Sequence, residues 1–277
     1  MKTATSKFLS STVILIFIFL AHTFQASAQF WTEDFGPVNT DPSGFADGYV
    51  GTNPGNWSVT ILGANGPNAN VFYISCEEAG MQINNCGAVC PPVPSPPPTP
   101  FIAQSLHLST GFGDLGAAYL ETGAFLTNTD IRAESPTIIC TGQSNINLSF
   151  NYIEFGDGTN DNAEVWYFDG IAWSFLADMP KTLCGDGSGG PCNTQVCNGT
   201  LQGYWTAFSF ALPASANNNP LVRIGFRWQN LDDGIATDPS FAVTKIELTG
   251  SAAANTITAG NLIGPFCAGG TASLPFS

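Results

Sequence analysis

A strict two-residue alternation, repeated in segment after segment, constrains this chain more than any other feature. In "INLSFNYIEF" (146–155), Ile146, Leu148, Phe150 and Tyr152 alternate with Asn147, Ser149 and Asn151. Successive strand side chains point to opposite faces, so one face of this segment is core and the other wet. In "LVRIGFRWQ" (221–229), Val222, Ile224, Phe226 and Trp228 alternate with Arg223, Gly225 and Arg227. Similar runs are "WSVTIL" (57–62), "VFYIS" (71–75), "SLHLS" (105–109), "AAYLET" (117–122), "AEVWYFD" (163–169), "AWSFLAD" (172–178), "YWTAFSFAL" (204–212) and "FAVTKIELT" (241–249). Gly, Asn and Pro turns separate them. No segment carries a helical stripe. The pattern predicts an all-β fold: a two-sheet antiparallel sandwich of about ten or more strands.

The chain opens with Lys2 and Lys7, an unbroken apolar run from Val13 to Ala21, and the small residues Ala26-Ser27-Ala28. That order is a secretory signal peptide cleaved after Ala28, and the run falls short of the roughly 20 residues a membrane helix needs. No later stretch is long and apolar enough to span, so no transmembrane segment is expected and the protein is predicted to be secreted or on the cell surface. The expected organisation is a leader at 1–28 and one jelly-roll domain at 29–250. At 251–277 a linker leads into "FCAGGTASLPFS", which reads as the first strand of a further β-domain.

Composition narrows the partners. Asp and Glu number 21 against seven Lys and Arg, for a formal charge of −14, and two of the lysines lie in the leader. Binding a phosphate backbone requires clustered basic residues. Arg132, Lys181, Arg223, Arg227 and Lys245 are too few and too scattered for nucleic acid.

Eight cysteines follow the leader. In an oxidising compartment Cys76, Cys86, Cys90, Cys140, Cys184, Cys192 and Cys197 read as disulfide formers, with Cys267 near the end. None has the tight spacing of a zinc ribbon. The proline tract at 91–100 reads as a stiffened surface loop. The glycine-rich segment 184–199 lacks the lysine and strand-loop-helix setting of a phosphate loop.

Several stretches resemble a group of secreted Bacteroidetes-type multidomain surface proteins. They are "ISCEEAGM" (74–81), "SLHLSTGFGDLGAAYLETG" (105–123), "LSFNYIEFGDGTNDNAEVWYFDGIAWSFLADMPKT" (148–182), "ASANNNPLVRIGFRWQNLDDGIATDPSFAVTKIELTG" (214–250) and "GPFCAGGTASLPFS" (264–277). The resemblance implies an N-terminal jelly roll, similar to MAM-type and carbohydrate-binding domains, followed by immunoglobulin-like modules and type IX secretion. In MAM-type folds the closing strand carries two acids, the first a common calcium ligand. Here Thr244 and Lys245 stand in those places, which argues against calcium at that point.

Catalytic signals are sparse. His107 is the one histidine outside the leader, so any Ser-His-Asp triad must use it. No G-x-S-x-G elbow is present, and a lone strand histidine is expected at a surface or rim. Paired carboxylates at jelly-roll hydrolase spacing are absent, Glu154 with Asp157 and Glu164 with Asp169 being the nearest approaches. Catalytic residues are therefore expected to be none.

Acidic turns remain. Asp157 and Asp161 fall in what reads as a hairpin between two strands; Asp233 and Asp238 form a second turn, and Glu33 with Asp34 a third. Hard cations take six to eight oxygens, so these six are the candidate ligands of a structural calcium, against the plain preference of turns for Asp and Asn. Trp166 shares a face with Glu164 and Phe168, and sequence alone does not say which face looks out. Asp169 is expected to brace a tight turn over which Trp173 packs. The function expected is a non-catalytic extracellular module for adhesion or glycan binding, its partner an extracellular glycan or surface protein. The alternatives are a carboxylate-dependent glycan hydrolase and a structural spacer.

Overall fold

The computed structural model describes residues 27–36, 44–80, 103–120, 126–156, 160–182, 204–231, 233 and 239–252. They form twelve strands: β1 (Ser27–Glu33), β2 (Gly44–Phe45), β3 (Ser58–Ile61), β4 (Val71–Gly80), β5 (Ala103–Ser109), β6 (Thr129–Glu134), β7 (Gln143–Glu154), β8 (Asn162–Phe168), β9 (Trp173–Asp178), β10 (Thr206–Ala211), β11 (Arg223–Asn230) and β12 (Phe241–Ala252). The described helix content is one 3-10 turn, Ala214–Ala216. No described helix is long and apolar enough to cross a membrane.

Two antiparallel sheets face each other. One runs β10-β7-β12-β5-β4-β2, with β1 also paired to β12. The other runs β3-β6-β11-β8-β9. From β5 to β8, and again from β9 to β12, consecutive strands alternate between the sheets, which is the jelly-roll pattern. The alternation read from sequence supplies the core. Leu148, Phe150 and Tyr152 of one sheet meet Ile224, Phe226 and Trp228 of the other, all buried. Phe150 and Phe226 touch edge to face at 5.5 Å between centroids. Each such aromatic contributes about 2–3 kcal/mol through burial.

Three expectations need correction. "GDGTNDNAEVWYFDG" does not hold a β7–β8 hairpin, because β7 and β8 lie in different sheets. The tight hairpin is the next one, β8–β9. The described part of 117–122 is not a strand; it belongs to a loop laid back on β5, where Ser109 Oγ donates to Ala118 O. Cys140 is a free thiol, fully buried in the core. Burial pushes it up to about 12, where it behaves as a small apolar side chain. Cys76 is disulfide-bonded; Cys86, Cys90, Cys184, Cys192 and Cys197 lie outside the described residues. β12 ends at Ala252 and β1 begins at Ser27.

Candidate functional site

The outer face of the five-stranded sheet gathers all three arginines of the chain, Arg132, Arg223 and Arg227, with Trp166, Trp173 and Phe175. The register explains why. Gly225 pairs with Glu134 on one side and Trp166 on the other. Arg227 pairs with Arg132 and Glu164. Odd and even positions split cleanly in β8, so Val165 and Tyr167 enter the core while Glu164, Trp166 and Phe168 look outward.

Gly225 creates the central feature. A Cβ there would stand 2.6 Å from Arg132 Cδ and 2.9 Å from Trp173 Cζ3. With no side chain in the way, Arg132 lies flat under the indole of Trp173, its guanidinium carbon 3.8 Å from the ring centroid. Cation–π contact and shared apolar area hold the pair. Trp173 reaches this point from the edge strand because the β8–β9 turn is braced. Asp169 Oδ1 accepts the N–H groups of Ile171 and Ala172 at 2.8 and 2.9 Å, and these bonds hold its carboxyl below the usual value. Phe175 stands beside Trp166, centroids 6.0 Å apart, and is half exposed.

Carboxylates complete the plate. Arg132 donates through Nε and Nη2 to Glu134 Oε1, whose other oxygen meets Arg223 Nη1 at 3.0 Å. Arg227 grips both oxygens of Asp130 and also reaches Glu164. The result is a flat aromatic surface whose rings are fixed from below. Sequence reasoning listed these tryptophans but did not join them to the arginines. The glycine in "LVRIGFRWQ" was the available signal, since a strand glycine often marks a close approach.

Among the acidic candidates, Glu33 is buried and Asp34 exposed. Glu33 accepts N–H groups from Phe35 and Trp57 at 2.9 and 3.4 Å, and Thr52 approaches with both N–H and hydroxyl at 3.4 Å. Most of these donors converge on Glu33 Oε1. Asp161 is buried and accepts the Tyr119 hydroxyl. Asp233 accepts the Asn160 amide at 2.7 Å, which joins the two later acidic turns. Asp157 and Asp238 lie outside the described residues. Among the described residues, no group of three or more His, Cys, Asp or Glu side chains comes together to hold a metal.

His107 is not at a rim but fully buried. Its Nε2 meets Asp114 and its Nδ1 lies 3.1 Å from Ser105 Oγ. By residue type this is a hydrolase triad. Geometry makes it a staple instead: Ser105 is fully buried and gives its proton to Glu78 O, and Asp114 belongs to the loop that folds over β5.

Glu154 is the other buried acid. Ala163 N–H donates to its Oε1 at 3.0 Å, and Lys181 caps the same oxygen. Its Oε2 has no hydrogen-bond partner among the described residues. Burial pushes the carboxyl up to about 7 against the pull of Lys181.

On the far side of the molecule, a groove of about 560 Å³ crosses the outer face of the seven-stranded sheet. Ser149, Asn151, Ser209, Lys245 and Glu247 are among its lining residues. Lys245 has φ of 51°, at the bulge where β12 exchanges β5 for β1 as its neighbour.

Fold and site together define a jelly-roll sandwich with an arginine-braced aromatic outer face. No family model and no curated protein sequence matches the chain. Solved structures similar to it include the K2 cleaved adhesin domain of Lys-gingipain, 14% identical with a TM-score of 0.41, covering 80% of this chain and 97% of that one. The K1 cleaved adhesin domain of the same protein, from Porphyromonas gingivalis, is 12% identical with a TM-score of 0.36, covering 76% and 98%. A xylan-binding CBM22 domain from Paenibacillus barcinonensis is 8% identical with a TM-score of 0.37, covering 83% and 99%.

Proposed function

We propose that this domain is a non-catalytic, extracellular binding module that holds a glycan on the outer face of its five-stranded sheet. The observation that carries the reading is the plate itself: Trp173 fixed on Arg132 over Gly225, with Trp166 and half-exposed Phe175 alongside. Sugar rings present an apolar C–H face that stacks on aromatic carbon, and their hydroxyls take polar groups at the margin. Gln229, paired with Asn162 across β11 and β8, stands at such a margin. The leader expected from the sequence would carry the module to where glycans are met. The test is a glycan array probed with the wild type and Phe175→Ala. Binding that the substitution abolishes supports the reading; a wild type that binds no glycan leaves the spacer role or a protein partner.

Carboxylate-dependent hydrolysis is the second reading, and Glu154 is the observation in its favour, because a carboxyl near 7 is a usable general acid. Its full burial under Lys181 keeps substrate away. Release of reducing sugar lost in Glu154→Gln would establish hydrolysis. Calcium at the joined turns of Asp161 and Asp233 is a separate proposal. A melting midpoint unchanged between calcium and chelator would remove it.

A further inference from the structure

Resting on the glycan reading of that face, we propose that its ligands are uncharged polysaccharides held by stacking, and that its arginines do not read acidic sugars. Three guanidinium groups on one face invite the opposite conclusion, since arginine is the usual partner of carboxylate and sulfate. Here they are already spent on the protein. Arg132 makes two bonds to Glu134 Oε1, at 3.1 and 2.8 Å, and covers its flat face with Trp173. Arg223 donates to Ser135 O at 2.7 Å and to Ser58 Oγ at 2.9 Å, and pairs with Glu134 Oε2. Arg227 donates to Asp130 Oδ1 and Oδ2 at 2.7 and 2.9 Å, to Glu164 Oε2 at 3.0 Å and to Gln229 Oε1 at 2.8 Å. Even the Trp166 N–H is taken, by Glu164 Oε2 at 2.8 Å.

Three cations therefore face three anions, and the plate is locally neutral. A polyanion would have to pull a guanidinium from a two-point bond and leave a half-buried carboxylate uncompensated, at a cost larger than the new pair returns. At longer range it would approach a chain of formal charge −14, which repels it. A neutral chain meets neither obstacle. The surface left for it is ring carbon, with Phe175 the most exposed of the group.

Affinity electrophoresis tests this with two soluble polysaccharides, the neutral hydroxyethylcellulose and the acidic alginate, each run at low and high salt. The expected result is retardation by the neutral polymer, unchanged by salt and lost in Phe175→Ala, with no retardation by alginate. Far-UV circular dichroism confirms that the variant is folded. Retardation by alginate alone, weakening with salt, would overturn the charge argument and leave the glycan reading standing. Retardation by neither polymer, together with an array on which no glycan binds, would overturn both. A neutral glycan found on the array would keep both and replace the first probe.

Discussion

His107 Nε2 lies 2.8 Å from Asp114 Oδ1, with both side chains sealed from water. The other ring nitrogen, Nδ1, lies 3.1 Å from Ser105 Oγ, so His107 pins the 110–120 loop to β5 from both sides of its ring. Burial alone would raise the Asp114 carboxyl; His107, the Ser75 hydroxyl and the Gly116 N–H outweigh it and hold it below its ordinary value. Replacing His107 with Gln leaves Asp114 buried without this partner and is expected to cost about 1–3 kcal/mol in urea unfolding at neutral pH. A carboxyl depressed in the folded state stabilises above its unfolded value, and that contribution is lost as pH falls through the folded value. Asp114→Asn should therefore flatten the acid limb of the stability profile.

Glu154 gives the opposite slope. It holds its proton more tightly folded than unfolded, so its contribution is complete below the ordinary value of 4.5 and is lost as pH rises through about 7. Stability should fall by up to about 3 kcal/mol across that window. Glu154→Gln, measured by denaturant titration at several pH values, should remove the decline, with Lys181 turning to solvent.

Gly225→Ala is the direct probe of the plate. The added methyl collides with both Arg132 and Trp173, so the stack must open, at about 1–3 kcal/mol. Quenching of Trp173 fluorescence by iodide should increase, and glycan retention should fall more than stability does. Unchanged quenching would show that the stack does not depend on this glycine.

Glu33 and Asp34 are adjacent and should respond differently. Glu33→Gln turns an amide N–H₂ toward donors from Phe35, Thr52 or Trp57 and is expected to cost about 1–3 kcal/mol. Asp34 is exposed and, among the described residues, accepts from Gly36 and Thr52, and Asp34→Asn should stay within about 0.5 kcal/mol. Thermal melts of the two variants side by side make the comparison.

The residues show why some of this was legible beforehand and some was not. Ile146 to Tyr152 and Val222 to Trp228 announced their strands, because a half-buried strand must alternate. β6 escaped notice: in "TDIRAE" the outward Asp130, Arg132 and Glu134 are charged, yet Arg132 and Glu134 are themselves buried beneath Trp173 and Arg223. Asp114 gave no hint that it would find His107, since a loop folding back is decided by tertiary contacts. Cys140 misled for a simple reason: export chemistry favours disulfides in general, whereas the pocket of one core decides for one thiol. The acidic stretch after Gly156 looked like a hairpin because two alternating strands flanked it. Alternation says nothing about which sheet a strand joins.

β1 and β12 run antiparallel, with Ser27 opposite Ser251 and Glu33 opposite Ile246. The first and last described strands thus leave the domain side by side, at the same end. Tension applied through both would open their ladder one rung at a time, like a zipper, instead of shearing all rungs at once.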